Sequence, residues 1–316
     1  MKAIIINRYG DSNVLQYTEI EKPIPQEKEV LIKIMAAGIN PIDWKIRRGM
    51  LKIATGNKFP LQLGFDYGGI IVEKGSQVEQ FQIGDEVFGF VNQLPGRTYA
   101  EYAIIPASLL VKKPHNQSFI EAAATPLAAS TALQVLRDFG GIQAGNRILV
   151  NGASGGVGSF AVQIGKIFSA QVDGVCSSKN IDYVTSLGAD KVIDYTQEDW
   201  RKTEQKYDII FDAVAKSSFW HCRQLLKPQG TYITTLPNPG IILLNYLGAW
   251  LPQKGKVIFF AQAQASDWQF LKEAIKSGKL TVRIDRTYTF SQVAAAHNYS
   301  ESERVRGKIV LIPDEG

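Results

Sequence analysis

Apolar positions along this chain follow two rhythms. Up to about residue 120, short apolar runs alternate with glycine turns. Val30 to Met35, Gly69 to Glu73, Val87 to Phe90 and Tyr99 to Ile105 read as strands. Turn signals separate them at Lys74-Gly75-Ser76, Ile83-Gly84-Asp85 and Leu94-Pro95-Gly96. This pattern predicts a twisted antiparallel barrel rather than a βαβ array. Phe119 to Phe139 turns helical and alanine-rich, and Pro126 inside it predicts a break or kink. From residue 147 the rhythm becomes strand–helix–strand. Apolar runs at Ile148 to Val150, Val172 to Cys176, Lys191 to Ile193, Ile209 to Phe211, Tyr232 to Thr234 and Lys256 to Phe260 supply six strands. Helices are predicted between them, as at Ile181 to Leu187 and Ser217 to Leu226. That is the doubly wound α/β pattern. Ser266 to Ser277 reads as an amphipathic helix with Trp268, Leu271 and Ile275 on one face. Thr287 to Pro313 reads strand, helix, strand, and is expected to return to the first domain because the parallel sheet is already full.

Arg147 to Ala170 organises the rest. Ile148-Leu149-Val150 suits a buried parallel strand. Val157, Ala161, Ile164 and Phe168 then recur on one face of a helix. The turn between them, Ala153-x-Gly155-Gly156-Val157-Gly158, follows the dinucleotide pattern with alanine in the first place. Gly155 and Gly158 let backbone approach a pyrophosphate closely, and the helix N-terminus offers N–H groups to it.

Composition narrows the field. The 316 residues suffice for two domains, and hydrophobic content is 45%. No apolar run approaches the roughly 20 residues that span a bilayer. The net charge of +5 is mild and spread along the chain with no concentrated basic arm; it fits an anionic cofactor at least as well as nucleic acid, and no nucleic-acid partner is expected. Cys176 and Cys222 make neither a disulfide framework nor a metal cluster. None of His115, His221 and His297 lies at metal-ligand spacing from a cysteine, so no metal site is expected. With no signal pattern at Met1 to Ile6, a cytoplasmic location is expected.

Several segments together resemble the zinc-free quinone oxidoreductase branch of the medium-chain dehydrogenase/reductase superfamily. They are Ala37 to Asp43, Gly64 to Gly69, Gly84 to Val87, Asn151 to Gly158, Leu187 to Asp190 and Gly307 to Val310. The resemblance implies a GroES-like β-barrel catalytic domain split around a Rossmann domain: 1–123, 124–262 and 263–316. It implies that Asn40, Phe65 and Leu127 stand where zinc-dependent relatives place metal ligands. It also implies that Asp66 and Lys308 face each other at the cleft between the domains, with Lys308 shared between Asp66 and the cofactor pyrophosphate.

For the cofactor, an NAD-preferring Rossmann domain wants an acid about 20 residues past the glycine turn. Here Ser177, Ser178 and Lys179 end the second strand, and Asp173 lies back in its body. Hydroxyls and a lysine suit a 2′-phosphate, and Tyr195 matches a tyrosine that quinone reductases use there, so NADPH is expected. A helix cap and a solvated lysine are the plainer alternative.

Candidate catalytic residues are Asn40, Lys45 and Asp66. Asn40 stands evenly between a substrate contact and turn stabilisation before Pro41. For Lys45 a solvated side chain is the favoured alternative to a donor on a substrate oxygen. Thr125 and Leu127 are expected to line the nicotinamide pocket, and Thr235 and Leu236 to meet the cofactor at the sheet's end. Phe259 and Phe260 wall a substrate pocket or pack in the core. The apolar run Ile241 to Leu251 is expected first to cover a hydrophobic small-molecule substrate, then to make a dimer contact, then to touch a membrane surface weakly; a homodimer is expected. The activity implied is zinc-independent reduction of quinones or α,β-unsaturated carbonyls. A metal-free enoyl-thioester reductase and a non-catalytic NADPH-binding regulator are the alternatives.

Overall fold

A computed structural model of the chain describes residues 1–236 and 252–314. The expected cover at 241–251 lies outside them. The chain forms two compact units: Met1–Leu127 with Gln262–Lys276 and Val282–Gly316, and Ala128–Ala261 with Ser277–Thr281.

The first unit is built on β-sheet. Strands β1 (Lys2–Ile6), β2 (Leu15–Glu19), β3 (Glu29–Ile39), β4 (Leu61–Gln62), β5 (Asp66–Lys74), β6 (Glu86–Phe90), β7 (Tyr102–Pro106) and β8 (Val111–Lys112) come first. β2, β1 and β4 make a small sheet, joined to Ala100 by an isolated bridge from Ala3. The helix expected after the barrel comes in two pieces. Ser118 caps Phe119–Ala124 by accepting from the Glu121 N–H, while its own N–H donates to the Glu121 carboxylate. Pro126, which has no N–H to lose, opens the next helix, Pro126–Gln134.

The second unit is a parallel sheet. Its strands are β9 (Arg147–Asn151), β10 (Gln171–Cys176), β11 (Lys191–Asp194), β12 (Tyr207–Asp212), β13 (Leu226–Thr234) and β14 (Lys254–Val257), in the order β11-β10-β9-β12-β13-β14. Every pairing in it is parallel. The order reverses between β9 and β12, so ligands are expected at their carboxyl ends. Two boundaries differ from expectation. Ser217 to Leu226 is helical only at Phe219–Cys222 with one 3₁₀ turn, and Leu226 already belongs to β13. Pro228 pushes the preceding residue to extended backbone, which favours the strand there. The sixth strand stops at Val257, and Phe259 is 73% exposed, so its packing in the core is overturned.

After helix Ala265–Lys276 the chain returns to the first unit with β15 (Ile284–Thr289) and β16 (Lys308–Ile312). These two pair in parallel, an exception to the antiparallel expectation. β16 lies antiparallel on β3 with Ile309 opposite Ile39, which puts Lys308 beside Asn40. The larger sheet thus runs β15-β16-β3-β5-β6-β8, with β7 also on β3.

Small residues let helix Phe119–Ala124 lie close against β3, β5 and β16. Ala36, Ala123, Ala124 and Val310 form one buried cluster. A Cβ on Gly38 would fall 2.4 Å from the Ala123 carbonyl oxygen and 2.8 Å from an Asp66 carboxylate oxygen. One on Gly68 would fall 2.9 Å from the Phe119 carbonyl.

Gly38→Ala should therefore lower stability by about 1–3 kcal/mol, because backbone on the other side cannot give way. An unchanged thermal midpoint would contradict this packing. A second expectation concerns pH. His297 is fully buried, and among the described residues neither ring nitrogen has a hydrogen-bond partner. Burial, reinforced by nearby Arg47, pushes its pKa down to about 3. The unfolded chain takes up this proton near pH 6.5 and the folded chain refuses it, so stability is lost as pH falls from about 6.5 to about 3. Urea midpoints measured across that window should fall less steeply in His297→Leu than in the parent.

Candidate functional site

The glycine turn of the second unit is shaped for a phosphate. β9 ends at Asn151, and Gly152 follows at a φ of 84°. The N–H groups of Gly152 and Ala153 donate to the Val175 carbonyl, which ties the turn to β10. Gly155 caps helix Gly156–Ile167, whose first turn, Gly156, Val157 and Gly158, directs N–H groups outward. A Cβ on Gly158 would sit 2.1 Å from the Gly152 carbonyl oxygen, so glycine there is required by the fold. Gly155 differs. A Cβ on it would meet only the Gly152 oxygen at 3.4 Å, an ordinary contact. Packing does not require glycine at 155, and the room beside it suits close approach of a ligand. The turn therefore fits a dinucleotide pyrophosphate.

Behind the turn lies a buried polar knot at the switch point. Asn151 donates to Asp212 at 2.8 Å. The other Asp212 oxygen accepts from the Tyr232 hydroxyl at 2.9 Å and the Ser217 N–H at 2.7 Å. It pins the carboxyl ends of β9, β12 and β13 together. No sequence signal marked it, because its members are joined only by strand order.

After β10, Ser177 precedes a 3₁₀ turn, Ser178–Asn180. Asn180 donates to Ser154 in the glycine turn at 3.0 Å and reaches Ser177 at 3.4 Å, so the two segments are linked. Tyr195 is 58% exposed, and its N–H bonds the Cys176 carbonyl, bringing it alongside the end of β10. Lys179 is exposed in the same turn. β10 itself ends without an acid, but β11 delivers one: Asp194 pairs in register with Cys176, and its carboxylate accepts from Ser178 at 2.5 Å. Only the parallel register reveals it.

The first unit carries a second polar group, fully buried. Lys308 Nζ reaches the Ile39 carbonyl at 3.2 Å, Asn40 Oδ1 at 2.5 Å and Asp66 Oδ2 at 3.5 Å. Asn40 Nδ2 donates to that same Asp66 oxygen at 2.8 Å. The other Asp66 oxygen accepts the Leu127 N–H at 2.8 Å. Burial pushes the Asp66 pKa up and that of Lys308 down, yet each hydrogen-bond partner of the Asp66 carboxylate is a donor and each partner of Lys308 an acceptor, an arrangement that suits the ion pair. All three ammonium protons have acceptors within this unit, so a phosphate would have to displace one of them.

The Asn40 amide is held by Lys308 and Asp66, and the turn before Pro41 is also stabilised from its other end. Asp43 does that work, accepting the Asn40 N–H at 2.8 Å and the Gly64 N–H at 3.2 Å. Burial pushes the Asp43 pKa up to about 7, against hydrogen bonds from Asn40 and Tyr99 that pull it down. Asp43 had a sequence signal, since it lies three residues after Asn40 at the head of a helix, in capping-box spacing.

The remaining candidates scatter. Lys45 is half-buried near the Trp44 ring, and burial lowers its pKa. Thr125 is buried and donates its hydroxyl to the Glu121 carbonyl at 2.8 Å. Phe65 and Leu127 are buried. Thr235 is half-buried and Leu236 is 39% exposed, at the end of β13. Phe260 is half-buried; His115 and His221 are exposed. Among the described residues no group of three or more His, Cys, Asp or Glu is placed to hold a metal ion.

Comparison with known proteins agrees with this architecture. An alcohol dehydrogenase GroES-like domain model matches residues 26–115, and a zinc-binding dehydrogenase model matches 187–311. The chloroplast envelope quinone oxidoreductase homolog of Arabidopsis thaliana is 33% identical, over 99% of this chain and 98% of its own. The chloroplastic NADPH-dependent alkenal/one oxidoreductase of the same plant is 35% identical, over 99% of this chain and 80% of its own. The quinone oxidoreductase structure from Coxiella burnetii superposes with a TM-score of 0.92 at 29% identity, covering 99% of both chains. The chain belongs to the quinone oxidoreductase family of the medium-chain dehydrogenase/reductase superfamily, and it is an oxidoreductase of that type.

Proposed function

We propose that this chain uses NADPH to reduce quinones or α,β-unsaturated carbonyl compounds without a metal ion. The contact between Asn40 and Lys308 carries the reading. At the three positions where zinc-dependent members of the superfamily hold their metal, this chain has Asn40, Phe65 and Leu127. The one oxygen among those side chains accepts from an ammonium at 2.5 Å, and Asn40 Nδ2 is committed to Asp66. Phe65 and Leu127 offer only carbon. These residues do not fit zinc. Without a Lewis acid, an isolated ketone is a poor acceptor, while a quinone or enone spreads incoming charge over a conjugated system. Relatives named quinone oxidoreductase and alkenal/one oxidoreductase support that substrate class.

Bound at the glycine turn, NADPH would supply the hydride. The backbone of Gly155 to Gly158 would hold its pyrophosphate, and Ser177, Lys179 and Tyr195 its 2′-phosphate. Ala153, buried under the turn, sets the turn's height on β10. Thr235 and Leu236 would flank the nicotinamide half from the end of β13, and Thr125, whose hydroxyl donates to the Glu121 carbonyl, would serve the nicotinamide pocket as an acceptor. Lys45, with its affinity for its own proton lowered by burial, would donate to the substrate oxygen. Asn40 would orient substrate or nicotinamide ribose, with Asp66 and Lys308 fixing its rotamer. The reading includes a cytoplasmic homodimer. No helix among the described residues is long and apolar enough to cross a membrane.

NADPH oxidation should proceed with simple quinones and alkenals, be weak with enoyl thioesters, and survive extended treatment with a strong chelator. Activity that is lost to chelation and restored by zinc would overturn the metal-free site. Turnover of thioesters alone would move the substrate class to enoyl reduction.

NADPH should bind more tightly than NADH, and Lys179→Ala should weaken NADPH with little change for NADH; fluorescence titration reads both. Lys308→Ala should behave differently. It strands a buried carboxylate and should cost about 3–5 kcal/mol of stability. Where that variant stays folded, equal weakening of both cofactors would support a pyrophosphate role for Lys308. Unchanged affinity for both would confine it to the Asn40–Asp66 group.

A further inference from the structure

Counting 20 positions past Gly158 arrives at Ser178. In an NAD-binding Rossmann unit an acid stands there and takes the adenosine ribose hydroxyls. Ser178 is no acid, yet its hydroxyl donates at 2.5 Å to Asp194, which arrives on the adjacent strand. A carboxylate therefore reaches that place through space although it is missing in sequence. Its orientation is fixed. The second Asp194 oxygen accepts from the Thr196 N–H at 2.9 Å and the Thr196 hydroxyl at 2.7 Å, and the Ser178 and Thr196 hydroxyls lie 2.8 Å apart. The Tyr195 N–H bonded to Cys176 stitches the ends of β10 and β11 together, so the acid cannot swing off with its loop.

The two hydroxyl protons of Ser178 and Thr196 serve three contacts, two to Asp194 and one between the hydroxyls, so they are already engaged within this group. The 2′ end thus combines one cation and one phenol, Lys179 and Tyr195, with a carboxylate whose pKa is held below its usual range first by the Ser178 hydrogen bond. A 2′-phosphate, carrying a charge of roughly −1.5 to −2 at neutral pH, is attracted by the lysine and repelled by the acid. A 2′-hydroxyl feels no such opposition and can donate to the acid.

We propose that Asp194 is a specificity-determining residue for the cofactor, one that restrains the preference for NADPH and supports use of NADH. The proposal rests on the placement of the 2′-phosphate at Ser177, Lys179 and Tyr195 given above. It deepens that reading by naming the group that opposes it.

The test is a titration of NADPH and NADH into the full chain and into Asp194→Asn, Asp194→Ser and Lys179→Ala. Asn preserves the size and an acceptor for Ser178, and Ser preserves a hydroxyl should the amide perturb the turn. Removing the charge should tighten NADPH by about five- to tenfold, the scale of one surface charge acting on a phosphate at contact distance. NADH should be unchanged or weaker. A purely structural role would move both cofactors together. An unchanged ratio of affinities in both Asp194 variants, or weaker NADPH, would overturn the proposal. If Lys179→Ala still lowers NADPH affinity selectively, that result leaves the phosphate placement standing. If Lys179→Ala changes nothing, the placement itself fails and the role of Asp194 falls with it.

Discussion

The buried contact of Lys308 with Asn40 and Asp66 holds the first unit in its working form. It joins three distant parts of the chain: the end of β3, the start of β5 and the start of β16. Each group is nearly or fully excluded from water. An isolated charge in such a place is costly, so each member is tolerated only because the others are present. The same carboxylate receives the Leu127 N–H, which anchors the start of the second helix piece. Hence the returning C-terminal strand is more than a patch on the barrel. It brings the cation without which Asp66 would be stranded.

Close packing makes that contact reachable. Gly38 and Gly68 allow helix Phe119–Ala124 to approach the sheet at backbone distance, and its alanines add little bulk between them. Larger side chains would hold the helix away and draw the Leu127 N–H out of reach of Asp66. Gly38 and Gly68, both inside strands, therefore serve packing, and through packing they serve electrostatics.

The second unit follows a different economy. Its sheet is parallel and its core nearly continuous, and polar groups gather at the carboxyl ends of the strands. Asn151, Asp212, Tyr232 and Ser217 hold the switch point from behind, while Asn180 ties the glycine turn to the segment that follows β10. Gly158 is demanded by the protein's own backbone, whereas packing leaves Gly155 open. Two glycines in one motif thus answer to different constraints.

Much of this could be read along the chain, because it depends on neighbours in sequence. The strand–turn–helix at 147–167, the change of rhythm from short strands to βαβ units, and the break at Pro126 are set by local periodicity and by proline's missing N–H. Side chains whose roles depend on register could not be read that way. Lys308 lies beside Asn40 only because β16 runs antiparallel to β3 with Ile309 opposite Ile39. Asp194 reaches Ser178 only because β11 pairs with β10 in parallel, and Asp212 meets Asn151 only because β12 crosses to the far side of β9. Local sequence fixes which faces are apolar and where the chain turns. Strand pairing alone decides which buried charges meet, since a charge finds its partner through space.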